Sequence, residues 1–276
     1  MSTGIAFALN HITAPRMTSR EFIDLAKRLG CVGVELRNDL ADKRLTQRPF
    51  LDGARPEEVG AYAKSNGIRL LGLSEVYGFN RWSDEIRAKV ERLIGQAQKS
   101  GAETISLIPS NDGRVESDQA RRADLRKALS EILPMLDASG LIALVEPLGF
   151  TTSSLRRKSE ALDAINTAGG RSHFKLVHDT FHHHLAQEED FFPEETGIVH
   201  ISGVIDQNLD VDQMRDAHRI LVTDRDRLEN VAQIETLKAR GYKGAYSYEC
   251  FAPSVHASGR IEDDLLKSMK FVSNRL

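Results

Sequence analysis

Two cysteines in 276 residues, Cys31 and Cys250, are too few for a disulfide framework. Both lie among apolar neighbours, which predicts buried free thiols in a reducing compartment. Positive charge is not in excess either: 37 Lys and Arg stand against 40 Asp and Glu, a net charge of −3. No overall positive field is present to hold nucleic acid or anionic lipid. No apolar run approaches the length of a membrane span, and MSTGIAFALN lacks the basic start and long apolar core of a secretion signal. The first apolar run leads into ALNHITAP, which has none of the glycines of a dinucleotide-binding turn. Linkers and low-complexity stretches are also missing. These absences predict a cytoplasmic protein without a nucleic-acid or membrane partner.

Present instead is an alternation of short β-rich runs with longer amphipathic stretches. The strand candidates are Gly4–Asn10, Gly33–Arg37, Arg69–Glu75, Thr104–Pro109, Ile142–Pro147, Phe174–Asp179, Gly197–Ser202 and Gly244–Glu249. Helical patterns fall at Ser19–Leu29, Pro56–Asn66, Asp84–Ser100, Gln119–Ser139, Ser159–Thr167, Leu228–Arg240 and Ile261–Asn274, with a short, weak sixth helix at Leu185–Phe192. Gly30, Gly67, Gly101, Gly140, Gly169 and Gly241 each follow a helix and precede a strand, the position where a left-handed residue ends a helix. Strand–helix alternation means a parallel sheet with right-handed crossovers. A chain close to the usual length of about 250 residues predicts an α/β fold, a (β/α)8 TIM barrel forming one domain over residues 1–276. The longer connections Asn38–Arg55 and Asp206–Asp226 would then overhang the end where barrel loops shape pockets.

Four runs of the second half, LIALVEP, FKLVHD, GIVHIS and AYSYEC, bring Glu146, Asp179, His200 and Glu249 to the ends of apolar strands. A barrel builds its site from such strand ends. Three carboxylates and an imidazole suit one divalent ion such as Mn²⁺, Mg²⁺, Co²⁺ or Zn²⁺. Singly, each residue has a plainer reading: Glu146 as a solvated loop carboxylate, His200 as a core histidine, Glu249 as a buried acid. In HDTFHHHL, His182 stands one turn beyond Asp179 and shares its direction if a helical turn begins at Thr180. His178 also reads as a core histidine, and His183 and His184 as a solvated run. Arg219 either reaches over the metal to a substrate oxygen or forms a surface ion pair with Asp216 or Asp224. Asn10, His11, Arg37, Glu75, Phe79, Asn80, Ser153, Ser154 and Arg156, at or after other strand ends, are candidates for lining a polar sugar pocket; of these, His11, Glu75 and Arg156 are the substrate contacts chosen.

The pieces GVELR, VEPLGFTTSSLR, LVHDTFHHH, VHIS and GYKGAYSYECF resemble the sugar-phosphate isomerase/epimerase superfamily of xylose-isomerase-like barrels, over essentially the whole chain. Within it the resemblance is greatest to inosose (2-keto-myo-inositol) isomerases of inositol catabolism. The resemblance implies one divalent metal on Glu146, Asp179, His200 and Glu249, a substrate-binding histidine at His182 and an oxygen-binding arginine at Arg219. ILVTDRD after Arg219 departs from the family's Pro-Gly turn, and Cys250 stands where Pro or Leu is common. The implied reaction moves a proton beside a ketone through an enediolate, with Glu146 and Glu249 as base and acid. A ketose 3-epimerase or an inosose dehydratase needs the same centre. A metal-dependent apurinic endonuclease would need more ligands and a basic face. The implied partner is a small keto-sugar or inosose; a homo-oligomer is compatible with the sequence.

Overall fold

The apolar runs form eight strands: β1 Phe7–Asn10, β2 Gly33–Arg37, β3 Arg69–Tyr77, β4 Thr104–Ile108, β5 Ile142–Val145, β6 Phe174–Asp179, β7 Thr196–Ile201 and β8 Tyr246–Tyr248. In this computed structural model, which describes residues 4–114 and 116–276, each strand pairs in parallel with its neighbour in chain order. β8 returns to β1 and closes the barrel. The expected fold class is therefore the observed one. No described helix is long and apolar enough to cross a membrane.

The surrounding helices are α1 Ser19–Arg28, α2 Pro56–Ser65, α3 Asp84–Ser100, α4 Asp118–Ser139, α5 Lys158–Thr167, α6 Thr180–Ala186, α7 Asn230–Ala239, α8 Pro253–His256 and α9 Ile261–Ser273. Local chemistry sets their ends. Thr18 and Glu21 form a reciprocal capping box at the start of α1, and the Ser83 hydroxyl accepts the Ile86 amide at the start of α3. All six glycines expected to stop helices have positive φ, from 70° at Gly67 and Gly140 to 97° at Gly241.

Two boundaries differ in kind from the sequence reading. The sixth helix is Thr180–Ala186, not Leu185–Phe192. It starts where Asp179 accepts the Phe181 and His182 amides through Oδ1, at 2.7 and 3.1 Å, and it stops at Gln187, whose φ is 50°. Secondly, the short helix α8 follows β8 with Pro253 in its first turn, as proline's fixed φ favours.

Two apolar layers hold the barrel. Outside, Leu9, Val34, Leu36, Ile105, Val145, Leu176, Val199 and Tyr248 pack among the helices. Inside, Ala8, Leu71, Leu144, Val177, Ile198 and Ala245 fill the lumen. Cys31 and Cys250 are buried free thiols, as expected, and burial pushes both up to about 12.

Candidate metal centre

Alternate side chains of a strand point into a barrel. Two residues beyond the lumen residues Leu144, Val177 and Ile198 come Glu146, Asp179 and His200, and four beyond Ala245 comes Glu249. The lumen thus changes from hydrocarbon to ligand atoms at the C-terminal ends of β5 to β8. One ligand atom from each of these buried residues lies within 4.8 Å of the other three. His200 Nδ1 faces Glu249 Oε2 at 3.3 Å, Glu146 Oε1 at 3.6 Å and Asp179 Oδ2 at 3.9 Å. It has no hydrogen-bond partner among the described residues. The structure therefore brings together all four of the residues chosen as metal ligands.

The electrostatics are those of carboxylates crowded in a buried lumen. Burial, reinforced by the charge of Glu249, pushes Glu146 up to about 7. Burial also raises Asp179, although Arg219 opposes it. Glu249 is held well below the usual carboxylate range: burial works against its charge, but His200, Arg219 and Arg37 outweigh it. Like-charged groups this close are costly unless a cation sits among them. Three carboxylates and one imidazole nitrogen without a protein partner fit a single divalent ion of the oxygen- and nitrogen-preferring kind.

Arg219 is buried beside the ligands rather than at the surface. Its Nη2 donates to Asp179 Oδ2 at 2.5 Å and to Glu249 Oε2 at 2.9 Å, and its Nε donates to Ser202 Oγ at 3.0 Å. Asp216 takes Nη1 at 3.3 Å, while Asp224 does not pair with it. The guanidinium lies between the rings of Phe181 and Phe251, 5.0 and 4.8 Å from their centroids. His182 is buried one turn into α6, its ring edge-on to Phe150 and Phe181 at 5.1 and 5.2 Å. Burial, then the charge of Arg219, pushes it down to about 3, so it is a neutral imidazole. Its Nδ1 has no partner among the described residues. Gly149 permits this packing, since a Cβ there would stand 2.2 Å from the His182 carbonyl oxygen.

The other histidines of HDTFHHHL divide. His178 is a satisfied core residue, with Nδ1 2.9 Å from Lys158 Nζ and Nε2 2.9 Å from Gln233 Oε1. His183 is not part of a solvated run: it packs on His178 and Phe191, both at 4.6 Å, because α6 starts early enough to turn it onto β6. His184 is half-buried.

The structure does not bring His11, Glu75 and Arg156 into contact with the four ligands. His11 stacks on Phe22 at 4.5 Å and places Nε2 3.1 Å from the Met17 carbonyl oxygen. Glu75, pushed up to about 7 mainly by burial, accepts from Arg37 at 2.6 Å. Arg156 donates to the carbonyls of Gly149 and Leu185 at 2.8 and 3.0 Å. It lines a cavity of about 560 Å³ together with Phe150, Asp212 and Asp216.

Three residues, Glu35, Arg37 and Asn10, gain roles that sequence reasoning did not give them. Glu35, fully buried in the middle of β2, places Oε2 3.1 Å from His200 Nε2. Arg37 donates to Glu249 Oε1 at 2.9 Å and grips Asp39 with two hydrogen bonds, at 2.8 and 2.7 Å. Asn10 adds a third donor to Glu249, at 3.2 Å. An acid inside an apolar strand was the available signal for Glu35, whereas Glu146 was marked by its place at a strand end.

The closed parallel barrel is a fold shared with known proteins. The chain belongs to the xylose isomerase-like TIM barrel family, whose profile matches residues 23–274. It is similar to a xylose isomerase domain containing protein from Salmonella typhimurium LT2, with 30% identity, 97% of each chain covered and a TM-score of 0.87. The same fold is found in the IolI protein with a bound zinc atom, at 17% identity, 97% and 96% coverage and a TM-score of 0.83. It is found again in the D-psicose 3-epimerase of Clostridium cellulolyticum H10 with D-tagatose, at 16% identity, 99% coverage of both chains and a TM-score of 0.74. No curated protein sequence matches the chain.

Proposed function

We propose that this protein is a divalent-metal-dependent isomerase of a keto-sugar or keto-inositol (inosose), working through an enediolate with two glutamates as acid and base. The observation that carries the proposal is the group Glu146, Asp179, His200 and Glu249, four strand-end side chains whose ligand atoms lie within 4.8 Å of one another. Family membership and the zinc in the IolI structure support the same view.

These four residues would hold the ion, which supplies Lewis acidity to a substrate carbonyl when bound. The protein's own groups do the rest. Glu249 and Glu146 stand at the ends of β8 and β5 on either side of His200 Nδ1, at 3.3 and 3.6 Å. One takes the proton from the carbon beside the ketone, the hydroxyl on that carbon gives up its proton to the old carbonyl oxygen, and the other glutamic acid returns a proton to the old carbonyl carbon, so that ketone and hydroxyl exchange places. Such proton transfer contributes about 10²–10⁴ in rate. Arg219 steadies negative charge on a substrate oxygen, and its two flanking rings keep water from it. His182, neutral and with a free Nδ1, bonds a substrate hydroxyl. Of the other substrate contacts chosen from the sequence, Arg156 on the wall of the 560 Å³ cavity is an outer contact to the same substrate, whereas His11 and Glu75 line other pockets and are engaged by Met17 and Arg37.

A ketose 3-epimerase or an inosose dehydratase would use the same centre, and products separate them. Purified protein with Mn²⁺ and inosose in D₂O is expected to place deuterium beside the ketone and yield a new ketone isomer. An unsaturated diketone absorbance identifies a dehydratase instead, and turnover of linear ketoses alone identifies an epimerase. No deuterium incorporation with any of these substrates overturns the proposal.

A further inference from the structure

His200 has two nitrogens, and only one of them faces the other ligands. The Nδ1 side looks onto Glu249, Glu146 and Asp179; the Nε2 side meets Glu35 Oε2 at 3.1 Å. Both residues are sealed from solvent, with His200 1% and Glu35 0% exposed. A buried carboxylate is costly where it sits. Glu35 makes this worse by leaving its second oxygen, Oε1, without a hydrogen-bond partner among the described residues. Gly72 stands opposite Glu35 in the β2–β3 ladder; a Cβ there would crowd Thr104 Oγ1, at 2.7 Å, and only touch Glu35 Cγ, at 4.0 Å. A carboxylate so enclosed, with one directed contact, has its use in that contact.

We propose that Glu35 is the positioning residue of the centre: it accepts the Nε2–H of His200, fixing the ring with the Nδ1 lone pair toward the metal and strengthening that nitrogen as a ligand by its charge. The inference rests on the metal-dependent reading above. A carboxylate behind a metal-bound imidazole fixes its tautomer and raises its basicity, and loss of such a partner costs about 10–100-fold in metal affinity.

The test measures metal binding rather than turnover. Dissociation constants for Zn²⁺ and Co²⁺ are determined by chelator competition for the wild-type chain, Glu35→Gln and Glu35→Ala, with thermal unfolding of the metal-free proteins alongside. Glu35→Gln keeps an acceptor without the charge and is expected to bind about tenfold more weakly; Glu35→Ala is expected to lose about a hundredfold. The Co²⁺ visible spectrum is expected to change in both. ¹⁵N NMR of Zn²⁺-loaded wild-type protein, which needs no variant, is expected to show His200 bound through Nδ1 with a protonated Nε2. Unchanged affinity in both variants, or coordination through Nε2, overturns the role of Glu35 while leaving the metal centre standing. A wild-type chain that binds neither ion overturns the centre and this inference together.

Discussion

Arg219→Met is the perturbation that most directly probes the charge balance of the centre. The substitution keeps an unbranched side chain between Phe181 and Phe251 but removes a guanidinium that is 1% exposed. Two of its partners, Asp179 and Glu249, are equally buried, with side chains 1% and 2% exposed. Removing one member of a buried ion pair costs about 3–5 kcal/mol, because the remaining charge is left uncompensated. The third partner, Asp216, has a side chain 47% exposed and adds at most about 1 kcal/mol. In chelator, Arg219→Met is therefore expected to unfold roughly 6–24 °C below wild type, at about 2–4 °C per kcal/mol for a large domain. A divalent ion held at the centre would meet the same carboxylates, and without the arginine's charge beside them it is expected to bind more tightly. Tenfold tighter binding returns about 1.4 kcal/mol to the variant under saturating metal. Calorimetric scans of both proteins, in chelator and in excess Mn²⁺, measure the two deficits. A deficit equal in both conditions would mean that Arg219 acts through packing alone and would refute the reasoning.

The remaining expectations concern proton transfer, the metal, the histidines and a buried lysine. Glu146→Gln and Glu249→Gln are each expected to lower turnover by two to four decades with the fold intact by circular dichroism, since an amide cannot accept the proton. Dialysis against chelator is expected to remove activity, and Mn²⁺, Co²⁺ or Mg²⁺ to restore it; full turnover by protein shown metal-free by elemental analysis would sink the centre. His200→Ala is expected to lose metal affinity, whereas His182→Ala keeps the metal and changes KM or kcat; metal content and kinetics together decide, and the reverse pattern contradicts the assigned roles. Lys158 is pushed by burial from 10.5 down to about 7. The unfolded chain therefore holds more protons between those values, and stability rises with pH through that window. Lys158→Met is then expected to gain a few kcal/mol at pH 6 in urea unfolding and clearly less at pH 9; an equal gain at both would show that the amine's charge is not the cause.

Much of the fold was legible because its determinants are local. A glycine at a helix end declares a left-handed residue through its own missing Cβ, and six of six do so here. The ligands were legible for a related reason: period-2 alternation makes a polar residue at the end of an apolar run a lumen residue if the sheet is closed. The sixth helix was not legible from periodicity, because TFHHHLA has too few apolar positions to show a period. Its real signal was Asp179 as an N-cap, and that residue had already been assigned to the metal. One side chain serves both: Oδ1 holds the helix amides while Oδ2 faces His200 and Arg219.

Charge compensation at the centre was the least legible feature, and the reason is distance along the chain. Glu35 meets His200 across 165 positions, and Arg37 meets Glu249 across 212. No local pattern encodes those pairings, which exist only because the barrel closes β8 onto β1 and sets β2 next to β1. The consequence is a division of labour between the halves of the barrel. Strands β5 to β8 supply the atoms that fit a metal, while β1 and β2 supply Asn10, Glu35 and Arg37 to orient and neutralise them. Arg37 also reaches Asp39 and Glu75, so the charge of Glu249 is balanced through a network that leaves the centre by way of β3. A substitution of Glu35 or Arg37 is therefore expected to alter a site whose candidate ligands all lie in the second half, through charge and ring orientation rather than through contact with substrate.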